Sequence, residues 1–149
     1  MEANRQVFTD DHWFQTGDTG VITDEGRLQI TGRIKEIITR GTRKIMPVVI
    51  EQVVLKVKNI SKCAVVAVPD KRLFEEICVC FVAAHDSVVT SDDVKRHCSE
   101  IFRTDNTLDG LGEMPTYFLQ FDDFPSLATG KTDRKKIKEI AIERLKLTH

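Results

Sequence analysis

The sequence of 149 residues lacks an excess of either charge, since 22 Lys and Arg residues stand against 23 Asp and Glu residues. A balanced chain has no strong overall attraction to nucleic acid or to an anionic membrane. The sequence also lacks any apolar run near the roughly 18 residues that cross a membrane, and residues 1–11 are polar, unlike a signal peptide. We therefore expect no transmembrane segment and no nucleic-acid partner.

Cysteine is scarce, and none of it has the C-x-x-C spacing of a zinc site or the density of a secreted disulfide scaffold. The four cysteines are Cys63, Cys78, Cys80 and Cys98. We interpret them as reduced thiols, which favours an intracellular location, cytoplasmic or mitochondrial. Cys78 and Cys80 are expected to be small core residues rather than nucleophiles. His85 and His97 have no partners at metal-ligand spacing, so no metal site is predicted.

The first third of the chain contains glycines and short alternating segments. Residues 20–23 and 27–30 flank the acidic turn Asp24-Glu25-Gly26 and predict a β-hairpin. A further strand is predicted over Ile34–Thr39, ending at Arg40-Gly41. Pro47 then opens a predicted helix whose apolar face holds Ile50, Val53, Val54 and Val57.

Two nearly unbroken apolar runs follow, residues 63–68 and 77–84. They are rich in β-branched residues and bounded by Pro and charge, which predicts central strands buried on both faces. Ser91, followed by two acidic residues, predicts a helix start. Its buried stripe should contain Val94, His97, Cys98 and Ile101.

The C-terminal part predicts a loop over residues 105–115, a strand over residues 116–121 and a second loop over residues 124–132. An amphipathic helix is predicted from Asp133 onward. Its inward side should contain Ile137, Ile140, Ala141 and Leu145. The predicted class is α+β, with a small mixed β-sheet flanked by helices and preceded by a β-hairpin.

Four segments, taken in order, form a recognisable series. They are Trp13-Phe14-Gln15-Thr16-Gly17-Asp18, then Gly32-Arg33-Ile34-Lys35 continuing through Gly41 and Pro47 to Ile50-Glu51, then the runs around Val65 and Val79, and finally Pro125 with Thr129-Gly130-Lys131 and Arg134. The series resembles the terminal motifs of adenylate-forming enzymes, which include acyl-CoA synthetases, luciferases and peptide-synthetase adenylation domains. Its details resemble medium-chain fatty acyl-CoA synthetases.

The resemblance implies that residues 1–33 are the C-terminal edge of a large AMP-binding domain and that residues 34–149 are the small domain that follows. It implies an ATP-dependent acid-thiol ligase that first forms acyl-AMP and pyrophosphate, and then acyl-CoA and AMP. The phosphate loop and substrate pocket of such enzymes lie in the large domain. That domain, the expected partner, would hold ATP, Mg²⁺, CoA and the carboxylic, fatty acid substrate, so this chain alone is expected to be inactive.

Lys131 is the catalytic residue that the resemblance implies. Acyl adenylation joins two anions, and an ammonium between the carboxylate and the α-phosphate would stabilise the charge that builds in the transition state. Gly130 would let the loop backbone approach the nucleotide. From spacing alone, Lys131 reads more simply as a solvated lysine in the basic run with Arg134, Lys135, Lys136 and Lys138.

The resemblance assigns Asp18 to the ribose hydroxyls of the nucleotide and places Arg33 near the same ribose. The alternatives are a turn aspartate and a surface ion pair of negligible strength. Lys35 matches the hinge about which the small domain of such enzymes pivots between the two half-reactions.

After the pivot, Arg40, Gly41 and Thr42 would face the pantetheine arm of CoA. Thr42 departs from the family pattern, in which many members have a second Gly, and its side chain could narrow the thiol channel. Arg43 and Lys44 are candidates for contacts with CoA phosphates, although a solvated charged loop is an equal alternative.

A second class of function stays open. The domain could act alone as a non-catalytic module that binds another protein or a CoA-bearing partner. Nucleic-acid binding through the basic C-terminal helix is disfavoured, because the basic residues flank an apolar stripe and have no aromatic stacking platform.

Overall fold

The computed structural model describes residues 7–104 and 111–148. Its contacts divide the chain into a first unit, Met1–Lys35, and a second unit, Glu36–His149. The described part contains three α-helices and two β-sheets. The predicted α+β class is therefore confirmed.

The first unit contains a β-hairpin of β1 (Asp18–Ile22) and β2 (Leu28–Arg33), which pair antiparallel. At the turn, the Thr23 amide donates to the Arg27 carbonyl over 2.9 Å. Gly26 has φ of 75°, a left-handed conformation that costs glycine little because it has no Cβ. The predicted hairpin is confirmed.

One face of this hairpin is apolar and exposed. Ile22 pairs with Leu28, and Ile30 pairs with Gly20 two residues along, so the three apolar side chains lie on the same face. All three are exposed.

The strand predicted over Ile34–Thr39 is wrong in its first half. Residues Ile34–Glu36 form a 3₁₀ turn, and β3 spans only Ile38–Arg40. The Ile34 side chain is exposed, and its amide donates to the Gly17 carbonyl over 2.9 Å. Ile38, in contrast, is fully buried, so the apolar residues of this segment do not share one strand.

A five-stranded sheet forms the centre of the second unit, in the order β4-β3-β6-β5, with β7 paired parallel to β6. The remaining strands are β4 (Arg43–Ile45), β5 (Ile60–Asp70), β6 (Phe74–Ala83) and β7 (Tyr117–Phe121). β7 confirms the strand predicted over residues 116–121. β4 was not predicted, because Ile45 is its single apolar residue.

The two apolar runs form β5 and β6, and the prediction that both faces are buried is confirmed. The prediction that both strands are central is wrong, because within the described residues β5 pairs with β6 alone and lies at an edge. A continuous apolar run indicates that both faces of a strand are covered by helices. It does not indicate whether the strand has a neighbouring strand on both of its edges.

Side chains that alternate along β5 and β6 pack in two separate cores, one on each face of the sheet. Val65, Ile77, Val79 and Phe81 pack in one core with side chains of α1 (Pro47–Val54) and α2 (Ser91–Thr104). Ala64, Val66, Cys78, Cys80 and Val82 pack in the other core with Ile137 and Ala141 of α3 (Arg134–Leu145). The unit is thus a three-layer arrangement, and the sheet fixes α1 and α3 on opposite faces.

The helix predictions hold with small changes. In α1, Ile50, Val53 and Val54 are buried as predicted, while Val57 lies beyond the helix end. At the start of α2, Thr90 rather than Ser91 supplies the cap, because the Thr90 amide donates to Asp93 Oδ2 over 2.9 Å and Thr90 Oγ1 accepts from the Asp93 amide. In α3, Asp133 caps the Lys136 amide.

The structure confirms that Cys78 and Cys80 are core residues, and it places the two histidines of this region. Cys78 and Cys80 are buried with sulfurs 3.9 Å apart, and burial raises the pKa of Cys98 to about 12. His85 is exposed, and His97 is half-buried with Nε2 3.1 Å from the Val53 carbonyl. Residues 105–110 of the predicted loop lie outside the described residues. None of the described helices has the length and apolar content to span a bilayer.

Phe74, the first residue of β6, has φ of 68° although it is not a glycine. This conformation brings Cβ too close to the following carbonyl oxygen and is a genuine outlier for a bulky residue. Since the Phe74 side chain is 74% exposed, its truncation removes little packing. We expect Phe74→Gly to raise the free energy of unfolding by up to about 1 kcal/mol. Urea unfolding of the two proteins would check this, and a loss of stability would contradict it.

Candidate active site

A tight loop between β7 and α3 carries Lys131. Ser126 pairs with Thr132, the Leu127 amide donates to the Lys131 carbonyl over 2.8 Å, and the Gly130 amide donates to the Leu127 carbonyl over 2.9 Å. Gly130 has φ of 83°, and a Cβ built there would meet no atom within 4 Å. The glycine therefore serves the turn conformation and leaves open space beside Lys131.

Lys131 is exposed at this turn. Within residues 7–104 and 111–148, no hydrogen bond or ion pair engages its ammonium, although the main chain on both sides is held by the bonds above. Because main-chain hydrogen bonds hold the turn, the ammonium can contact an anion of another molecule without first breaking an ion pair within the chain. The loop is therefore suited to deliver a positive charge.

Arg134, three residues after Lys131, anchors this loop to the rest of the unit. Its Nη2 lies 2.7 Å from Glu51 Oε1 of α1 and 2.7 Å from the Val65 carbonyl of β5. Its Nε lies 3.6 Å from Glu36 Oε1. Glu51 Oε1 also accepts the Val65 amide over 2.8 Å. One guanidinium thus joins the Lys131 loop to α1, β5 and the segment beside Lys35.

The sequence reading missed this role, since Arg134 was grouped with the solvated basic run. A local signal exists in the first turn of α3, which contains Arg134, Lys135 and Lys136 and no acidic residue. Cations at a helix N-terminus oppose the macrodipole. An arginine there is therefore better explained by acidic partners elsewhere in the fold.

For the acyl adenylation that the resemblance implies, we expect Arg134→Met to loosen the loop and slow that step about tenfold in the complete polypeptide, because small displacements of a charge reduce transition-state stabilisation. Transfer from a supplied acyl adenylate to CoA should change less than twofold, since the resemblance assigns Lys131 to adenylation and not to this step. Pyrophosphate exchange and acyl-transfer assays would measure the two steps. A matched control is Arg144→Met in the last turn of α3, and equal loss in both steps would contradict the positioning role.

Asp18 and Arg33 lie side by side on the hairpin, where they are register partners, with Asp18 Oδ1 3.4 Å from Arg33 Nε. Arg33 is 69% exposed, so the pair contributes little to stability. The Asp18 amide donates to Thr16 Oγ1 over 3.1 Å, which orders the chain after Gly17. The structure thus brings the two sequence-predicted nucleotide residues together.

Lys35 is exposed in the 3₁₀ turn that follows the hairpin. The division between the two units falls directly after it. Within the described residues its side chain makes no hydrogen bond or ion pair, so a change of backbone angles at this position breaks no such interaction of the side chain.

Arg40, Gly41 and Thr42 form the end of β3 and its two-residue turn into β4, where Arg40 pairs with Arg43. Gly41 has φ of 61°, and its amide donates to the Leu73 carbonyl over 2.8 Å. Thr42 is exposed and has no positive φ. A two-residue hairpin turn of this kind requires a positive φ only at its first central residue, which here is Gly41. The backbone therefore does not require a second glycine at position 42.

The Arg40 side chain is engaged inside the unit. Its Nε lies 2.7 Å from Glu76 Oε1, and its Nη1 lies 3.0 Å from Glu113 Oε1. The hydrogen bond to Glu76 is the largest factor that raises the pKa of Arg40 above its usual value. Arg43 also pairs with Glu113, and Lys44 Nζ donates to Thr39 Oγ1. These three cations are thus occupied by internal partners, whereas Gly41 and Thr42 remain accessible at the turn.

No group of three or more His, Cys, Asp or Glu side chains within residues 7–104 and 111–148 is arranged to hold a metal ion. In enzymes that use ATP, Mg²⁺ binds together with the nucleotide, and most of its ligands are phosphate oxygens and water molecules. The described residues thus offer cations and an exposed turn, and they offer no metal-binding cluster.

Comparison with known proteins identifies the family of the chain. The family model described as "AMP-binding enzyme C-terminal domain" matches residues 49–131. The medium-chain acyl-CoA ligase ACSF2, mitochondrial, of Danio rerio is 32% identical over 98% of this chain and 23% of its own length. The Mycobacterium tuberculosis fatty acyl CoA synthetase structure has a TM-score of 0.68 and 29% identity, covering 96% of this chain and 27% of that one.

The ATP-bound MatB structure from Rhodopseudomonas palustris has a TM-score of 0.76 and 25% identity over 93% of this chain and 26% of that one. The chain spans about a quarter of the length of the curated relatives it matches. The matched family model covers more than half of the sequence, including the strand pair β5 and β6, and its match ends at Lys131. The chain belongs to the AMP-binding enzyme C-terminal domain family, the C-terminal domain of the adenylate-forming acyl-CoA ligases.

Proposed function

We propose that this chain is the lid domain of an ATP-dependent acyl-CoA synthetase and that Lys131 serves its first half-reaction. The observation that supports the proposal is that the Lys131 ammonium has no internal partner in the described structure. It lies on a glycine turn that Arg134 anchors. In this role, Lys131 would bridge the carboxylate and the α-phosphate as the acyl–phosphate bond forms and pyrophosphate leaves. Such electrostatic stabilisation is strongest when the charge is preorganised and water is excluded.

Asp18 and Arg33 would serve the same nucleotide. The Asp18 carboxylate has lone pairs free to accept the two ribose hydroxyls, and the exposed pairing with Arg33 is weak enough to rearrange on binding. The proximity of the two side chains on one hairpin supports a joint role. ATP and its Mg²⁺ would be held mainly by the part of the enzyme that contains the phosphate loop.

Lys35 would be the hinge between two working positions of the domain. Support comes from its exposure, from the absence of side-chain partners in the described region and from its place at the end of the first unit. Hinges are a few residues that absorb a backbone change, so the position matters more than the lysine side chain. By the same reasoning, residues 1–33 would be the edge of the large domain and residues 34–149 the small domain.

The second position would present the Arg40–Thr42 turn to the pantetheine arm of CoA. Because the Arg40 side chain is held by Glu76 and Glu113, the contact would come from the Gly41 backbone and from Thr42. The thiol of CoA would then attack the acyl carbonyl of the adenylate, and AMP would leave. Thr42 adds a side chain where many family members have a second Gly, so it would narrow the thiol channel and slow transfer to CoA.

The partner of the domain would be the large domain of the same enzyme, and its substrate a carboxylic acid, such as a fatty acid. The exposed apolar face of Ile22, Leu28 and Ile30 supports a covering partner for the hairpin. The protein would be located inside the cell, in the cytoplasm or in mitochondria. On its own, the chain would lack the groups that bind the acid and the phosphates and would be inactive.

Mixing separately expressed chains tests the proposal. The large domain and this chain, combined with ATP, Mg²⁺, CoA and a panel of fatty acids, should form acyl-CoA, and Lys131→Ala in this chain should abolish that gain. If a folded chain restores nothing, the alternative of a non-catalytic binding module gains support.

A further inference from the structure

The outer edge of β5, the side that faces away from β6, pairs with no strand within residues 7–104 and 111–148. In an antiparallel pair, residues alternate between those that direct both their amide and carbonyl to the partner strand and those that direct both away. Val65 is an outward residue, because its amide and carbonyl bond to side chains of α1 and α3. Since the register to β6 is regular from Lys62 onward, the outward residues are Cys63, Val65, Ala67 and Pro69.

The far side of β6 agrees with this assignment. Ile77 is the register partner of Ala67, and its carbonyl accepts the Thr116 amide over 3.2 Å. That carbonyl therefore faces the β7 side of the strand and not Ala67. Among the described residues, neither the amide nor the carbonyl of Ala67 has a hydrogen-bond partner at the outer edge.

An edge of this kind is a template for another strand. Residues 63–68 read Cys-Ala-Val-Val-Ala-Val, without a charge or a proline, and half of them are β-branched. Short segments with this composition pair readily between chains. A second copy of the chain offers the same row of groups. Two such edges that run antiparallel about a two-fold axis would satisfy each other's amides and carbonyls.

An ion pair occupies the outer edge at Val65. Glu51 Oε1 accepts the Val65 amide over 2.8 Å, and Arg134 Nη2 donates to the Val65 carbonyl over 2.7 Å. The same oxygen and nitrogen lie 2.7 Å from each other. The carboxylate and the guanidinium thus take both positions that an incoming strand would use. Pro69, further along the row, has no amide hydrogen to offer to such a strand.

We propose that Glu51 and Arg134 have a second function, which is to prevent the outer edge of β5 from pairing with the same edge of another copy. An incoming strand would have to displace a carboxylate and a guanidinium from each other and from Val65, and both charges would then lack partners next to an apolar strand. The inference goes beyond the proposed function and does not depend on it, because the edge is the same whether or not Lys131 is catalytic.

Light scattering after size-exclusion chromatography of this chain, over a range of concentrations, tests the inference. Glu51→Ala with Arg134→Ala frees the Val65 main chain and leaves neither charge of the pair behind. This double variant should shift to twice the mass of the parent as the concentration rises. Lys136→Ala with Glu139→Ala is the matched control, because these residues form an exposed ion pair on α3 with atoms 3.3 Å apart. It should keep the mass of the parent.

Adding Ala67→Pro to the double variant tests whether the edge itself pairs. The Ala67 amide makes no bond to β6, so proline removes a donor from the edge and leaves the β5–β6 hydrogen bonds in place. The triple variant should return to the mass of the parent. Hydrogen exchange gives a second measurement, in which the Ala67 amide of the double variant should become protected as the concentration rises.

A folded double variant that keeps the mass of the parent at every concentration would overturn the inference, with circular dichroism and cooperative urea unfolding as the criteria for folding. Association that leaves the Ala67 amide unprotected would also overturn it, since another surface would then be responsible. If the double variant does not fold, Arg134→Ala alone frees the Val65 carbonyl and is judged by the same two measurements. A folded single variant that neither gains mass nor protects Ala67 would contradict the proposal.

Discussion

Replacing Lys131 by alanine is expected to slow acyl-adenylate formation in the complete polypeptide by about 100- to 1,000-fold. This is the range found when one preorganised charge-stabilising donor is removed from an active site. The turn around Lys131 is held by main-chain hydrogen bonds between Leu127, Gly130 and Lys131, so the fold should survive the change. Pyrophosphate exchange with ATP and a fatty acid would measure the effect.

Lys135→Ala is the control for charge alone, because Lys135 is an exposed lysine in the first turn of α3, four residues after Lys131. It should change the exchange rate less than twofold. Similar losses for both variants would show that a general positive potential matters and that the position of Lys131 does not. Lys131→Arg should recover little, since a planar guanidinium does not replace a compact ammonium at a site of fixed geometry.

Replacing Arg40 by methionine is expected to lower the free energy of unfolding by about 2–3 kcal/mol. The change leaves the Glu76 carboxylate, which is 5% exposed, with only the Ile77 amide as a hydrogen-bond partner among the described residues. Breaking a buried ion pair from one side costs about 3–5 kcal/mol. We expect less, because Arg40 itself is 24% exposed. Urea denaturation at neutral pH would measure the difference.

Two further variants separate this ion pair from the surrounding charges. Arg43→Met removes an exposed cation that also pairs with Glu113, and it should cost less than about 1 kcal/mol. The double change Arg40→Met and Glu76→Met should cost less than Arg40→Met alone, because no buried charge remains unpaired. A double variant as unstable as the sum of its single changes would contradict this account.

Most of the fold could be predicted because its signals are local. The acidic turn with Gly26, the apolar runs of β5 and β6 and the stripe of α3 each occupy one short segment. Their periodicity depends only on which side chains face a core. The edge position of β5 could not be predicted in the same way, since helices on both faces give an edge strand the same pattern as a central one.

In the candidate site, too, residues that belong to a short local motif could be predicted, and pairings between distant residues could not. Lys131 and Gly130 lie next to each other in the chain, so a short motif indicates them. The pairing of Arg134 with Glu51 joins residues 83 positions apart, and that of Arg40 with Glu76 joins residues 36 positions apart. Neither pairing has a periodic signature. The left-handed backbone of Phe74 has no signal either, because the turn from Asp70 to Phe74 contains no glycine.

We propose that one small domain serves two successive steps and that Lys131 belongs only to the first. The most direct test supplies a synthetic acyl adenylate and CoA to the Lys131→Ala polypeptide and follows acyl-CoA formation in a single turnover. We expect a rate within about twofold of the parent, although pyrophosphate exchange falls by about 100-fold or more. A loss of the same size in acyl transfer would contradict the claim.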